Sequence, residues 1–296
     1  MVNTSRLATR SGIRLAGVRA VLFAAAIAAT AISAAAPPAD RRNFIACPVL
    51  QDTDTVPCWL AEYRGETYFL GIQTDSGGWS PPWLGHQVLV EGRLAGGARI
   101  CGGFALTSDY AASGPPSGTS DGQPLPTPPV VSVMRELDAS CNALIPANPH
   151  FHIVGRRGPG PNTAASALRA PPSPPAPPKV ARPYVAKTFT LTYEFDSELA
   201  ARTIGEALSA VQYAQAVHAR QITITGHRGS TLLTDGSLIR EIPMIAQLRA
   251  QELARTLKKL GLPSTSTLTV HWDSALEPAD GVTDPDRRRA EIAVSP

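Results

Sequence analysis

The run TITGHRGSTLLTDGS, Thr223 to Ser237, decides the fold. Thr223, Ile224 and Thr225 alternate polar with apolar, the period of a half-buried strand. Gly226-His227-Arg228-Gly229 ends the alternation, and a polar loop follows. Such a turn is either a ligand-binding mouth or only the connection to the next helix.

The neighbouring segments settle its setting. KTFTLTYEFDS, 187–197, places Phe189, Leu191, Tyr193 and Phe195 on one face and predicts a strand, with Ser197 as cap of the next helix. That helix, ELAARTIGEALSAVQYAQAVHA at 198–219, carries Leu199, Ile204, Leu208 and Val211 as an apolar stripe. QITITGH, 221–227, is the second strand. A second helix starts near Pro243, with Ile245, Leu248, Leu253, Leu257 and Leu260 along one side. Lys258 and Lys259 suit its C-terminal end, and Gly261 and Pro263 close it. STLTVHW (266–272) and DRRRAEIAV (286–294) predict the last two strands. The order β-α-β-α-β-β implies an α+β two-layer sandwich.

This order, with FDS at 195–197, ITGH at 224–227, QLRAQEL at 247–253 and DRRRAEI at 286–292, resembles the OmpA-like C-terminal domain family. The resemblance covers residues 184–296. It implies non-covalent binding of peptidoglycan, through a pocket that grips the carboxylate and amine of diaminopimelate in the stem peptide. Arg249 falls on the family's arginine, which can hold a carboxylate through two parallel bonds. Arg288 and Arg289 fall on its final-strand arginine pair. The family's strand continues Gly-x-Thr-Asp, whereas here Arg228 and Gly229 stand at the Thr and Asp positions. The loop that follows is also longer than the family's. Thr234-Asp235-Gly236 supplies a Thr-Asp pair farther on, either folded back to the pocket or as ordinary turn chemistry. The candidate ligand residues are therefore Arg249, Asp235, His227, Arg228, Arg288 and Arg289.

The rest of the chain speaks for export. Arg6, Arg10, Arg14 and Arg19 precede AVLFAAAIAATAISAAA, with Ser33 and Ala35 forming a small-x-small site. This predicts a signal peptide over residues 1–36, the competing reading being a retained anchor. The formal charge of +3 falls to −1 without those four arginines, which removes the case for nucleic acid. Cys47, Cys58, Cys101 and Cys141 form no CxxC pair, so two disulfides are expected rather than zinc. Three connectivities are possible, and local pairing favours Cys47–Cys58 with Cys101–Cys141. Residues 40–155 read as a small, mostly β domain of four or five strands, with a hairpin at Arg64-Gly65. They loosely resemble an OB-like barrel. Trp79 and Trp83, in a Pro/Gly loop, either stack on sugar rings or close the barrel core. Residues 156–183, rich in Pro and Ala, predict a semi-rigid linker.

No GxSxG, HExxH or P-loop is present, and His150-Phe151-His152 lacks an evident third ligand. We therefore expect no enzyme, metal or cofactor. The expectation is a periplasmic or envelope protein, with outer-membrane association open. It anchors to peptidoglycan and has no spanning segment after leader removal. The alternative is an OmpA-like interaction module that has lost peptidoglycan, with the N-terminal β domain recognising a ligand or an envelope partner protein.

Overall fold

The structure, a computed structural model, describes residues 38–72, 82–108, 118–120, 123–146, 153–155, 184–200 and 203–296. The expected leader, the Pro-rich segment 156–183, Trp79 and the His150/His152 pair lie outside them. Among the described residues no helix is long and apolar enough to cross a membrane.

The N-terminal half is built from β1 (Arg41–Ala46), β2 (Pro48–Gln51), β3 (Cys58–Tyr63), β4 (Glu66–Ile72), β5 (His86–Leu94), β6 (Phe104–Thr107), β7 (Gly118–Ser120), β8 (Gln123–Pro124), β9 (Val130–Leu137), β10 (Ala143–Ile145) and β11 (Ile153–Gly155). Eight of these form one sheet in the order β1-β5-β6-β4-β3-β2-β10, with β9 also paired to β5. That exceeds the four or five strands expected. Strands β11, β7 and β8 make a separate small sheet, which orders part of the Pro-, Ser- and Gly-rich stretch 111–129 into strands. The β3–β4 hairpin turns at Arg64 and Gly65, both with positive φ (53° and 77°), as a two-residue loop between right-twisted strands requires.

The disulfides are Cys47–Cys141 and Cys58–Cys101, not the local pairs expected from sequence. Strand order explains the correction. Parallel pairing of β10 with β2 brings Cys141 beside Cys47, although 94 residues separate them. Cys58, at the head of β3, meets the turn that leads into β6.

The C-terminal half contains β12 (Lys187–Thr192), α1 (Ile204–Val217), β13 (Gln221–Arg228), β14 (Ser230–Leu232), β15 (Leu238–Arg240), α2 (Ile245–Lys259), β16 (Thr267–Leu276), α3 (Asp284–Arg287) and β17 (Arg289–Ser295). Its sheet runs β12-β17-β13-β16, with β13 and β16 parallel and the other pairs antiparallel. Helices α1 and α2 cover one face, and Phe189, Leu191, Ile222, Ile224, Leu253 and Leu257 fill the layer between. This is a two-layer arrangement in the expected element order, with β14–β15 and α3 added.

Helix α1 differs from its expected form. It begins at Ile204, so Ser197 does not cap it, and the Ser197 hydroxyl instead bonds Leu199. Its buried face is Ala207, Ala210, Val211, Ala214 and Val217, while Leu199, Ile204 and Leu208 are exposed. Small side chains let the helix lie close to the sheet, and the larger residues are left outside. Gly226 marks a second close approach. A Cβ there would stand 2.1 Å from the Ala246 carbonyl oxygen, so the alternation of buried and part-buried residues along β13 stops where α2 presses onto it.

The two halves share a buried interface, and residues Ala34–Pro296 form one compact unit. Strand β5 is apolar on both faces for this reason. Val88 and Val90 enter the N-terminal core with Phe44 and Tyr68, whereas Leu89 packs against Phe195 and Leu233. The added β14–β15 hairpin docks on β1. Asn43 exchanges bonds with Thr234 through both backbones and the threonine hydroxyl, and its side-chain amide donates to Leu232 O and Gly281 O.

The loop before α3 carries a pH-sensitive carboxylate. Burial acts to raise the pKa of Asp280. Bonds from the Thr283 hydroxyl and the Val282 and Thr283 N–H groups, with the Arg287 charge, outweigh this and bring it to about 2. A depressed carboxylate stabilises the fold above its unfolded value and loses that contribution as pH falls through the folded one. Thermal midpoints should therefore drop between about pH 4 and about pH 2. Asp280→Asn should flatten that window relative to wild type, and an unchanged slope would refute the assignment.

Candidate functional site

Arg249 lies at the second turn of α2, facing inward, and is 0% exposed. All five of its N–H groups are bonded. Nε donates to Ser197 O (2.9 Å). Nη1 donates to His227 O (3.0 Å) and Glu241 Oε2 (2.8 Å). Nη2 donates to Glu194 O (3.1 Å) and Glu241 Oε1. Its guanidinium stands 4.9 Å from the Tyr193 ring centroid.

Glu241 completes the arrangement. Each of its carboxylate oxygens takes one bond from Arg249 and one from a backbone N–H: Asp196 N on Oε1 (2.8 Å), Gly229 N on Oε2 (2.7 Å). The bidentate geometry and the two amides are those expected of a bound carboxylate ligand. Here the carboxylate belongs to the chain and arrives from the end of the inserted hairpin. Asp196 Oδ1 in turn accepts a bond from Ile242 N (2.8 Å), which fastens the segment that presents Glu241.

The other candidates are dispersed. Asp235 does not fold back. It sits exposed in the β14–β15 turn, capping Ser237, and its carboxyl is held below the usual range first by the Ser237 hydroxyl. The charge acting on it is Arg64 of the N-terminal half. Gly229 is closed to a side chain, because a Cβ would meet Arg288 Cγ at 2.8 Å. His227 is half-buried with Nε2 unpartnered. Burial, reinforced by the Arg289 charge, lowers its pKa. Arg228 donates weakly to Glu241 O (3.5 Å) and leaves a buried Nε without a partner.

Arg288 and Arg289 part company. Arg288 is 0% exposed and forms a bidentate pair with Glu91 of β5, joined by the Thr231 hydroxyl at 2.9 Å. Burial opposes its charge, but Glu91 outweighs that effect and its pKa is raised. Arg289, mostly shielded, bonds Glu291 (2.8 Å) and Glu277 (3.0 Å). Sequence reasoning missed both acids that neutralise the buried arginines. Glu91 offered a signal, as the one acid in the apolar run VLVEG; Glu241 offered only its place beside Ile242-Pro243.

A groove of about 600 Å³ is lined by both halves and reaches the 194–199 segment, whose Glu194 and Ser197 carbonyls accept from Arg249. Trp83, His86, Val133, Arg135, Phe195 and Glu198 line it. Trp83 is 70% exposed, so it does not close the core. Its indole stands edge-on to His86, whose Nδ1 lies 3.0 Å from Met134 O. Arg135 bridges Asp196 O and Glu198 across the rim. Among the described residues one cluster has metal-ligand spacing, Cys47, Asp138 and Cys141, and its two sulfurs are joined to each other.

No family model and no curated protein matches the chain. Among solved structures it is similar to the OmpA-like domain of FopA1 from Francisella tularensis subsp. tularensis SCHU S4, at 20% identity and a TM-score of 0.29, over 38% of this chain and 73% of that one. It is also similar to a MotB-like protein from Desulfovibrio vulgaris, at 13% identity and a TM-score of 0.28, over 37% and 75% of the two chains.

Proposed function

We propose that the chain is an exported cell-envelope scaffold whose OmpA-like half has exchanged capture of peptidoglycan for an internal lock. The observation that carries this reading is the Glu241 carboxylate seated on Arg249, Gly229 N and Asp196 N, with no exposed surface left on either side chain. A stem-peptide carboxylate would have to displace a partner that is covalently tethered and already makes four bonds. Gly229 and Arg228 also supply no carboxylate of their own for the ligand's ammonium, and the Glu241 carboxylate is already taken by Arg249. Recognition then falls to protein contacts and to the Trp83 groove. Its mixed lining of aromatic, apolar and few polar groups is typical of binding clefts.

Co-sedimentation of the leaderless chain with insoluble peptidoglycan tests the proposal. The chain should stay in the supernatant at low and high salt alike. Salt-resistant pelleting of the wild type would instead support direct anchoring through an opened Arg249 pocket.

A further inference from the structure

Strand β16 ends the C-terminal sheet, and among the described residues no strand pairs with its outer side. None of its ten residues is buried, and Trp272 is 48% exposed. Natural sheet edges are usually blunted by lysines, prolines, bulges or short length. Thr267–Trp272, TLTVHW, contains no Lys, Arg, Pro or Gly. It pairs residue for residue with β13 from Gln221 to His227, and the register breaks only beyond Asp273. An open edge that runs seven residues without a bulge is a template for another strand.

The pattern of this edge is complementary to itself. In an antiparallel pairing centred on Val270, Val270 meets Val270, Leu268 meets Trp272, Thr269 meets His271 and Thr267 meets Asp273. Leu268 and Val270 pack towards the helices, and alternation puts Trp272 on the same face, so the apolar pairs fall together. Centring on His271 sets two imidazoles opposite each other, and centring on Thr269 leaves Trp272 facing Ser266. A slip by one position mismatches the faces altogether. Of these three registers, the one centred on Val270 covers Trp272 without a like pair of titratable groups.

We propose that β16 is the interface of a two-fold homodimer, in which antiparallel β16 strands join two four-stranded sheets into one of eight. The contact is isologous, so it closes at two copies and does not propagate.

Light scattering coupled to size exclusion tests this on the leaderless chain across micromolar concentrations. The wild type should show twice the monomer mass. Thr269→Lys acts on the open face of the strand and Trp272→Lys on the helix face. Each should return the mass to that of one chain with an unchanged far-UV circular dichroism spectrum. Thr190→Lys, on the opposite edge strand β12, should remain dimeric. A wild type of monomer mass at every concentration overturns the proposal, as does a dimer that persists in both β16 variants. Because the two variants load different faces, misfolding of one leaves the other to decide.

Discussion

Replacing Glu241 by alanine should cost about 3–5 kcal/mol, the range for removing one partner of a buried ion pair. The cause is the group left behind. Arg249 keeps three carbonyl partners but loses two bonds, and the amides of Asp196 and Gly229 lose theirs. A buried charge without its counter-charge is far more costly than the pair is stabilising. Chemical denaturation of wild type and variant measures the loss. The same variant carries a sharper test. The vacated space is a carboxylate receptor with its donors in place, so formate should raise the variant's thermal midpoint with concentration, as any native-state ligand does. Chloride at equal ionic strength should do much less, and the wild type should not respond to formate. A formate-insensitive variant would mean that the receptor collapses when Glu241 leaves.

The second large effect joins the halves. Glu91→Ala or Arg288→Ala should each cost about 3–5 kcal/mol for the same reason, since the pair is fully buried between β5 and the start of β17. Replacing both together with apolar residues of similar volume, Glu91→Met with Arg288→Met, should recover most of that loss. Such replacements of buried pairs are often neutral or stabilising. The double-mutant cycle then gives a large coupling energy across the interface. Near-additive single effects would show that the two residues stabilise separate bodies. Tryptophan fluorescence and far-UV dichroism should report one common unfolding transition in the wild type.

The C-terminal half was legible where local pattern and burial agree. Alternation in 221–227 and 289–295 marks strands with one covered face, and the Leu253/Leu257 spacing marks α2. Helix α1 buries Val211 as expected but leaves Leu199, Ile204 and Leu208 outside. Leucines weigh more than alanines in any apolar count. Packing distance favoured Ala207, Ala210 and Ala214 instead. The position of Arg249 could be read from its motif, but its state could not. Glu241 stands eight residues upstream, in what reads as a polar loop, and only the β14–β15 hairpin turns it inward. The disulfides failed for a related reason. Sequence proximity is a poor guide when strand order sets which cysteines are neighbours.

The Glu91–Arg288 contact also has a consequence in time. Its partners are 197 residues apart, so β5 is made long before the strand that will neutralise it. Until then the N-terminal sheet, already stapled by Cys47–Cys141 and Cys58–Cys101, presents Leu89 and a carboxylate on an open face. Docking of the second half is therefore a late, long-range step, of the kind that slows folding and leaves intermediates prone to wrong association. A protein built this way depends on the cell to keep that face unoccupied while the remainder of the chain arrives.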